Sequence, residues 1–431
     1  MCRNFRFSQY CPHNQKFFHI VKFVTVLTLD SYVRMSNVSQ NTRRLLSLKK
    51  YTFLVLAVFM SLSLFLAGCG NKESNIATEN NEEQQEPAKE EQTATTDKYY
   101  FTANEGGSIS KIDVATNEVV DTITLEGAVH NVQVSPDGKV LGATLVPGMG
   151  HGDEANSDNS EQGDDHSGMT DDHNDAHATD GHSMDMTGSA FFFDTKTNEL
   201  IKEVKVGNHP AHIVFTSDGK YALVTNNEDN NVSVIDVNTF TVTNTVETGK
   251  GPHGFRIAAD DKFVYIANMG EDTVSVINLE SFTEEKKIKV GPTPVTTGVT
   301  NDGKTLIATL NSENSLAIVD LATDEVTKVE VGVGPAQVYI QGDNKFAFVA
   351  NQGTAENPST SVTKVDLESK TAVATIETGK GSHGVVVSSD NKFVYVTNMF
   401  ENTVSVIDNE QNKVVQTVEV GEIPNGISIM P

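Results

Sequence analysis

From Lys98 to its end the chain repeats itself about every 42 residues, and that period constrains the fold more than any other feature. The clearest unit runs Phe263-Val-Tyr-Ile-Ala-Asn268, Thr273-Val-Ser-Val-Ile-Asn278, Lys286 to Val290, then Gly291 and Pro294. It returns as Phe393-Val-Tyr-Val-Thr-Asn398, Thr403-Val-Ser-Val-Ile-Asp408, Val414 to Val420, Gly421 and Pro424. Short β-branched runs of this kind read as strands. Between units stand the turn signals Ser135-Pro-Asp-Gly-Lys139, Ser217-Asp-Gly-Lys220, Asp302-Gly-Lys304 and Asp390-Asn-Lys392. Asp-Gly and Asp-Asn supply the positive backbone angles that tight hairpins need.

Each unit therefore holds four strands: A after the Gly-x-x-Pro segment, B at Tyr-Val-Thr-Asn, C at Ser-Val-Ile-Asp, and D at Thr-Val-x-Val-Gly. Seven four-stranded units predict an all-β, seven-bladed propeller, in which radial closure protects the sheet edges. The repeat begins at a B strand (Tyr99 to Asn104) and ends in an A strand (Asn425 to Met430). The last blade is thus expected to draw on both ends of the 98–431 domain. These motifs resemble the YVTN-repeat propellers over residues 98–431. That resemblance implies the fold and says little about activity, because such propellers include surface proteins, binding proteins and lactonase-like enzymes.

The charge is uneven. The whole chain has a formal net charge of −26, yet residues 1–68 hold nine of the 32 Lys and Arg and only one of the 58 acids, Asp30. So acidic a remainder repels phosphate backbones and favours cations, which argues against a nucleic-acid partner. The basic start has its own explanation. Arg43, Arg44, Lys49 and Lys50 precede an apolar run from Tyr51 to Leu66, which ends in Leu66-Ala67-Gly68-Cys69. This is the pattern of a secretory signal peptide. Its end resembles a bacterial lipobox, which implies cleavage before Cys69, lipidation of Cys69, and a protein held on the cell membrane facing outside the cytoplasm. Met35 is the more natural start of such a leader. Residues 69–97 contain almost nothing to bury and read as a disordered tether.

Two features point to chemistry. The first is an insertion, residues 147–189, between the B strand Val140 to Val146 and the C strand Ala190 to Asp194. It holds His151, His166, His173, His177 and His182, nine Asp, two Glu, and Met149, Met169, Met184 and Met186, with no Lys or Arg. Imidazole and carboxylate suit zinc, whereas thioethers suit copper(I). His-Ser-Met-Asp-Met (182–186) and His-Ser-Gly-Met (166–169) resemble segments of copper-handling proteins. The segment reads as a metal-capture loop.

The second is a column at the start of strand A. Nine residues before each turn lysine stand His130, Ala211, His253, Val295, Ala336 and His383, with Asn425 aligned on its preceding Pro. Strand A is the innermost strand of a blade, so three imidazoles from blades one, three and six are expected at the channel mouth. There they could hold a metal, with His209, His212 or the insertion supplying a fourth ligand. Strand alternation puts the B–C loops, the insertion among them, on the same face as the D–A connections that lead into this column.

The chain has no Gly-x-Ser-x-Gly elbow, no Gly-rich phosphate loop and no Cys-x-x-Cys pair. Arg256 is the only arginine after Cys69. The sequence reading is a non-enzymatic metal-binding protein or metallochaperone, zinc favoured over copper. Its architecture is similar to the propeller-type zinc metallochaperones of the AztD type, and that similarity implies hand-over to the binding protein of a metal ABC transporter. A cell-surface interaction propeller and a lactonase-like hydrolase are the rival expectations.

Overall fold

The computed structural model describes residues 98–148 and 187–431. Within them, 28 strands form seven antiparallel sheets of four. The leader, Cys69, the tether and the body of the insertion lie outside the described residues.

Blade one is β4 (Ala128–Val134), β5 (Val140–Val146), β6 (Thr187–Asp194) and β7 (Leu200–Asn208). Blades two to six follow the same order, with inner strands β8 (Pro210–Phe215), β12 (Pro252–Ile257), β16 (Pro294–Val299), β20 (Pro335–Ile340) and β24 (Ser382–Val387). Blade seven is assembled from both ends of the domain: β28 (Pro424–Ile429) pairs with β1 (Tyr99–Asn104), followed by β2 (Ser108–Asp113) and β3 (Val119–Thr124). Each inner strand packs on the next, and β28 packs on β4, so the ring is closed.

The burial pattern follows from the strand sequences. The B strand Phe263–Asn268 is buried at every residue after its first, because a neighbouring blade covers each face. The D strand Lys413–Glu419 buries only Val418 fully, the rest facing outward. Clusters of aliphatic and aromatic side chains fill the spaces between blades. One is Phe101, Ile109, Val129, Leu141 and Phe193, between blades seven and one. Another joins Tyr100 to Tyr395, whose ring centroids are 4.6 Å apart. The turn residues behave as their types require: Gly138, Gly219, Gly303 and Asn391 all take positive φ.

One irregularity recurs in every blade and bears on the site. The ladder between strands A and B slips by one residue near the start of strand A. In β12, Pro252 faces Asn268 and Phe255 faces Ile266, so His253 and Gly254 together oppose Ala267. The same two-against-one bulge lies at residues 130–131, 211–212, 295–296, 336–337, 383–384 and 425–426. A bulge bends its strand and re-aims its side chains.

Ring closure carries a direct test. Deleting residues 424–431 removes the inner strand of blade seven and uncovers Phe101 and Tyr100. The shortened protein is expected to lose at least about 10 °C of thermal midpoint in a circular-dichroism melt, or to fail to fold.

Candidate functional site

The bulges bring histidines from three adjacent blades together. His130 on β4, His212 on β8 and His253 on β12 each offer a ring nitrogen, and the three atoms lie within 4.8 Å of one another. His130 Nε2 and His253 Nε2 are 3.3 Å apart. The ring centroids of His212 and His253 are separated by 4.8 Å, and those of His130 and His212 by 6.0 Å. His130 and His212 are buried and His253 is mostly so.

Hydrogen bonds fix the tautomers of two of the three. His130 Nδ1 lies 2.9 Å from Glu105 Oε1, and a carboxylate only accepts, so Nδ1 carries the hydrogen. His253 Nδ1 lies 3.2 Å from the Val295 carbonyl oxygen and donates likewise. Both Nε2 atoms therefore present lone pairs to each other when the rings are neutral. His212 Nε2 is buried without a hydrogen-bond partner among the described residues. So are Thr296 Oγ1 and Asn425 Oδ1, on the bulges of blades four and seven. A buried polar atom left unpaired is costly, and three of the six such side-chain atoms among the described residues lie on this one ring of bulges.

Gly254 makes room. A Cβ there would lie 2.3 Å from Thr296 Oγ1, so only glycine lets β12 and β16 approach this closely beside the His253 ring.

Glu105 is the residue that the sequence reading missed. It is the first residue of the B–C loop of blade seven; it reaches to blade one, where it accepts from His130, and it also accepts from Asn425 Nδ2 on its own blade. Burial pushes its carboxyl up, but the hydrogen bond and charge of His130 outweigh burial and leave it lowered. Its signal in the sequence is positional only: it occupies the loop position held by Met269 and Met399, each of which follows a strand-ending Asn.

Burial, then the charge of neighbouring imidazoles, holds His212 and His253 well below the ordinary histidine range. The same two causes bring His383 down to about 4. All three rings are neutral at pH 7 and so available as ligands.

The arrangement differs from the near-threefold set of His130, His253 and His383. His383 is outside the close group, with Nδ1 3.5 Å from Gln337 Nε2. His212 takes its place, although the column residue of blade two is Ala211. The bulge explains this: two consecutive residues per blade reach the channel level, so a single column samples only half of the candidates. His209 sits at the mouth, its ring centroid 6.4 Å from that of His130. Arg256, three residues beyond His253, donates from Nη1 to the Phe255 carbonyl and lies over the Tyr339 ring, 5.8 Å from its centroid. Met269 and Met399 stand at B–C loops, and Met399 Sδ is 3.3 Å from Gln352 Nε2. His151, His166, His173, His177, His182, Met184 and Met186 lie outside the described residues.

The profile of the family described as "Lactonase, 7-bladed beta-propeller" matches residues 71–330, more than half of the chain. The chain belongs to this seven-bladed propeller family. A second profile, of YNCE-like β-propellers, matches residues 331–430. No match was found among curated proteins. Solved structures share the fold at low identity. Hydrazine synthase of Kuenenia stuttgartiensis is 19% identical with a TM-score of 0.56, covering 70% of this chain and 89% of that one. A protein of unknown function from Desulfotomaculum acetoxidans is 13% identical with a TM-score of 0.60, covering 77% and 98%. The dihydro-heme d1 dehydrogenase NirN, in complex with DHE, is 12% identical with a TM-score of 0.54, covering 79% and 77%. At these identities the likeness concerns the fold alone.

The buried imidazoles give the fold a pH dependence. In the unfolded chain they bind protons near pH 6.5, whereas in the folded chain they stay neutral to lower pH, His383 to about 4. Stability is therefore complete above pH 6.5 and declines as pH falls toward 4. In metal-free buffer the thermal midpoint is expected to drop between pH 7.5 and 5, and the His212→Gln/His383→Gln double variant should show a shallower drop.

Proposed function

We infer that this protein binds a transition-metal ion, zinc by preference, at His130, His212 and His253, and that it works as a membrane-anchored metal-binding protein or metallochaperone outside the cytoplasm. The observation that carries this reading is the pair of Nε2 atoms facing each other at 3.3 Å, with both Nδ1 atoms already committed to acceptors. Two lone pairs so placed repel unless a proton or a metal ion lies between them, and a metal ion is the occupant that also engages His212. Tetrahedral zinc with bonds of 2.0–2.1 Å sets its nitrogen ligands about 3.3 Å apart, which is the separation found here. The orphaned His212 Nε2 supplies a third imidazole, and a water or a carried ligand would complete the shell.

Glu105 strengthens the case. A carboxylate on the far nitrogen of a ligating histidine fixes its tautomer and raises its basicity, and losing such a partner commonly costs 10–100-fold in metal affinity. The anchored, extracytoplasmic setting rests on the Cys69 leader pattern, and capture of the ion on the His- and Met-containing insertion. The close group itself is all imidazole, which favours zinc over copper(I). Hand-over to a transporter's binding protein belongs to the same proposal.

The family match supports a second reading, a lactonase-like hydrolase using the same channel. The two readings separate cleanly. Titration of the mature chain with zinc against a chelating dye is expected to reveal one tight site besides weaker ones. His212→Ala and His253→Ala should each remove it, with affinity falling at least about a hundredfold. Turnover of sugar lactones by metal-free protein, lost in His253→Ala, would favour the hydrolase instead. Glu105→Gln should weaken the tight site by about tenfold or more.

A further inference from the structure

The mouth of the channel carries a histidine–carboxylate pair that the three-histidine site does not use. His209 Nδ1 lies 3.6 Å from Glu228 Oε1. His209 belongs to the D–A connection of blade two and Glu228 to its B–C loop, and the two segments are stapled together. Asn227 N donates to the His209 carbonyl at 3.0 Å, and Asp229 accepts from both Asn208 N and Asn208 Nδ2, at 2.8 and 2.9 Å. Asn227 Nδ2 also reaches the Pro252 carbonyl, next to His253. The pair is thus held on fixed backbone and beside the inner site, not on a free loop.

His209 takes the left-handed backbone state that this loop position adopts in every blade from two to seven. Its φ is +49°, in the left-handed region that favours glycine. At the equivalent position, blades three, five and six carry Gly251, Gly334 and Gly381, and these face Gly270, Gly353 and Phe400 where blade two has Glu228. Blades four and seven place Thr293 and Ile423 here, also with positive φ, so what sets blade two apart is the chemistry of its pair, an imidazole beside an acid. The His209 side chain is 22% exposed and that of Glu228 52%, so both meet solvent, while the His209 ring lies 6.4 Å from the ring of His130 inside.

We propose that His209 and Glu228 form an outer, two-ligand station that takes a divalent transition-metal ion from solvent and passes it to the three-histidine site, about one ligand exchange away. An imidazole and a carboxylate together hold such an ion weakly, which suits transfer. The inference rests on the metal-binding reading of the inner site. A station on the path changes how fast the ion enters and leaves, not where it ends.

The test is stopped-flow loading of the full mature chain with zinc, read by competition with a fluorescent chelator, beside an equilibrium titration and a thermal melt. His209→Gly and Glu228→Gln are each expected to slow both entry and exit by roughly tenfold, the scale on which losing a first-encounter ligand lowers effective concentration. His209→Gly should also raise the metal-free thermal midpoint, since it relieves the backbone. Rates equal to those of the unsubstituted chain would overturn the station. A large loss of equilibrium affinity in His209→Gly would overturn it too, by making His209 one of the inner ligands. If the unsubstituted chain binds no zinc tightly, the inner-site reading itself fails, a result distinct from either.

Discussion

Seven inner strands cannot crowd around one axis with perfect ladders, and the two-against-one bulge at the head of each is where the sheet yields. Because the slip recurs in every blade, each contributes two consecutive side chains at the level of the channel mouth instead of one. The positions are filled unequally. Gly254, Gly384 and Gly426 vacate space, and His130, Asn131, His212, His253 and His383 occupy it. The chemistry of the site is therefore a product of how the ring closes. The interblade clusters hold the strands, the strands fix the bulges, and the bulges aim the imidazoles.

Electrostatics then distinguishes this mouth from an ordinary polar core. Most buried polar groups of the propeller are satisfied locally. Asn268 Nδ2, for example, donates to the hydroxyls of Thr273 and Ser275, and Asn226 Nδ2 to Asn231 Oδ1 and the Ser233 hydroxyl. At the mouth imidazole nitrogens face each other, and His212 Nε2, Thr296 Oγ1 and Asn425 Oδ1 go unpaired, as Glu284 Oε1, Asn351 Oδ1 and Asn398 Oδ1 do elsewhere. Glu105 is the compensating negative charge, held by His130 and Asn425. The mouth thus gathers several buried imidazoles around a single buried carboxylate that is paired with one of them.

The fold was legible because its period is long and its strands are strongly β-branched. Strand B of blade one was placed at Val140 to Val146, where it stands, and blade seven does close with strands from both ends of the domain. The site was legible only in part. Counting back from the turn lysines found His130 and His253, which meet, and His383, which stands apart beside Gln337. It set His212 aside as an auxiliary, because a one-residue offset reverses the face of a regular strand, and nothing in the spacing announces the bulge that restores it. Glu105 was hidden differently. Its loop position, directly after the Asn that ends a B strand, is filled by Met269 in blade three and Met399 in blade six, so the repeat itself carries no signal of a carboxylate there.

The central claim is that three imidazoles share one ion at the propeller's mouth. X-ray absorption at the zinc edge, on the mature chain loaded with one equivalent of zinc, tests it most directly. The account predicts a first shell of three histidine nitrogens and one further light atom at about 2.0–2.1 Å, with the outer-shell scattering of imidazole rings. A shell of oxygens without imidazole scattering, unchanged when His212 and His253 are both replaced by alanine, would contradict it.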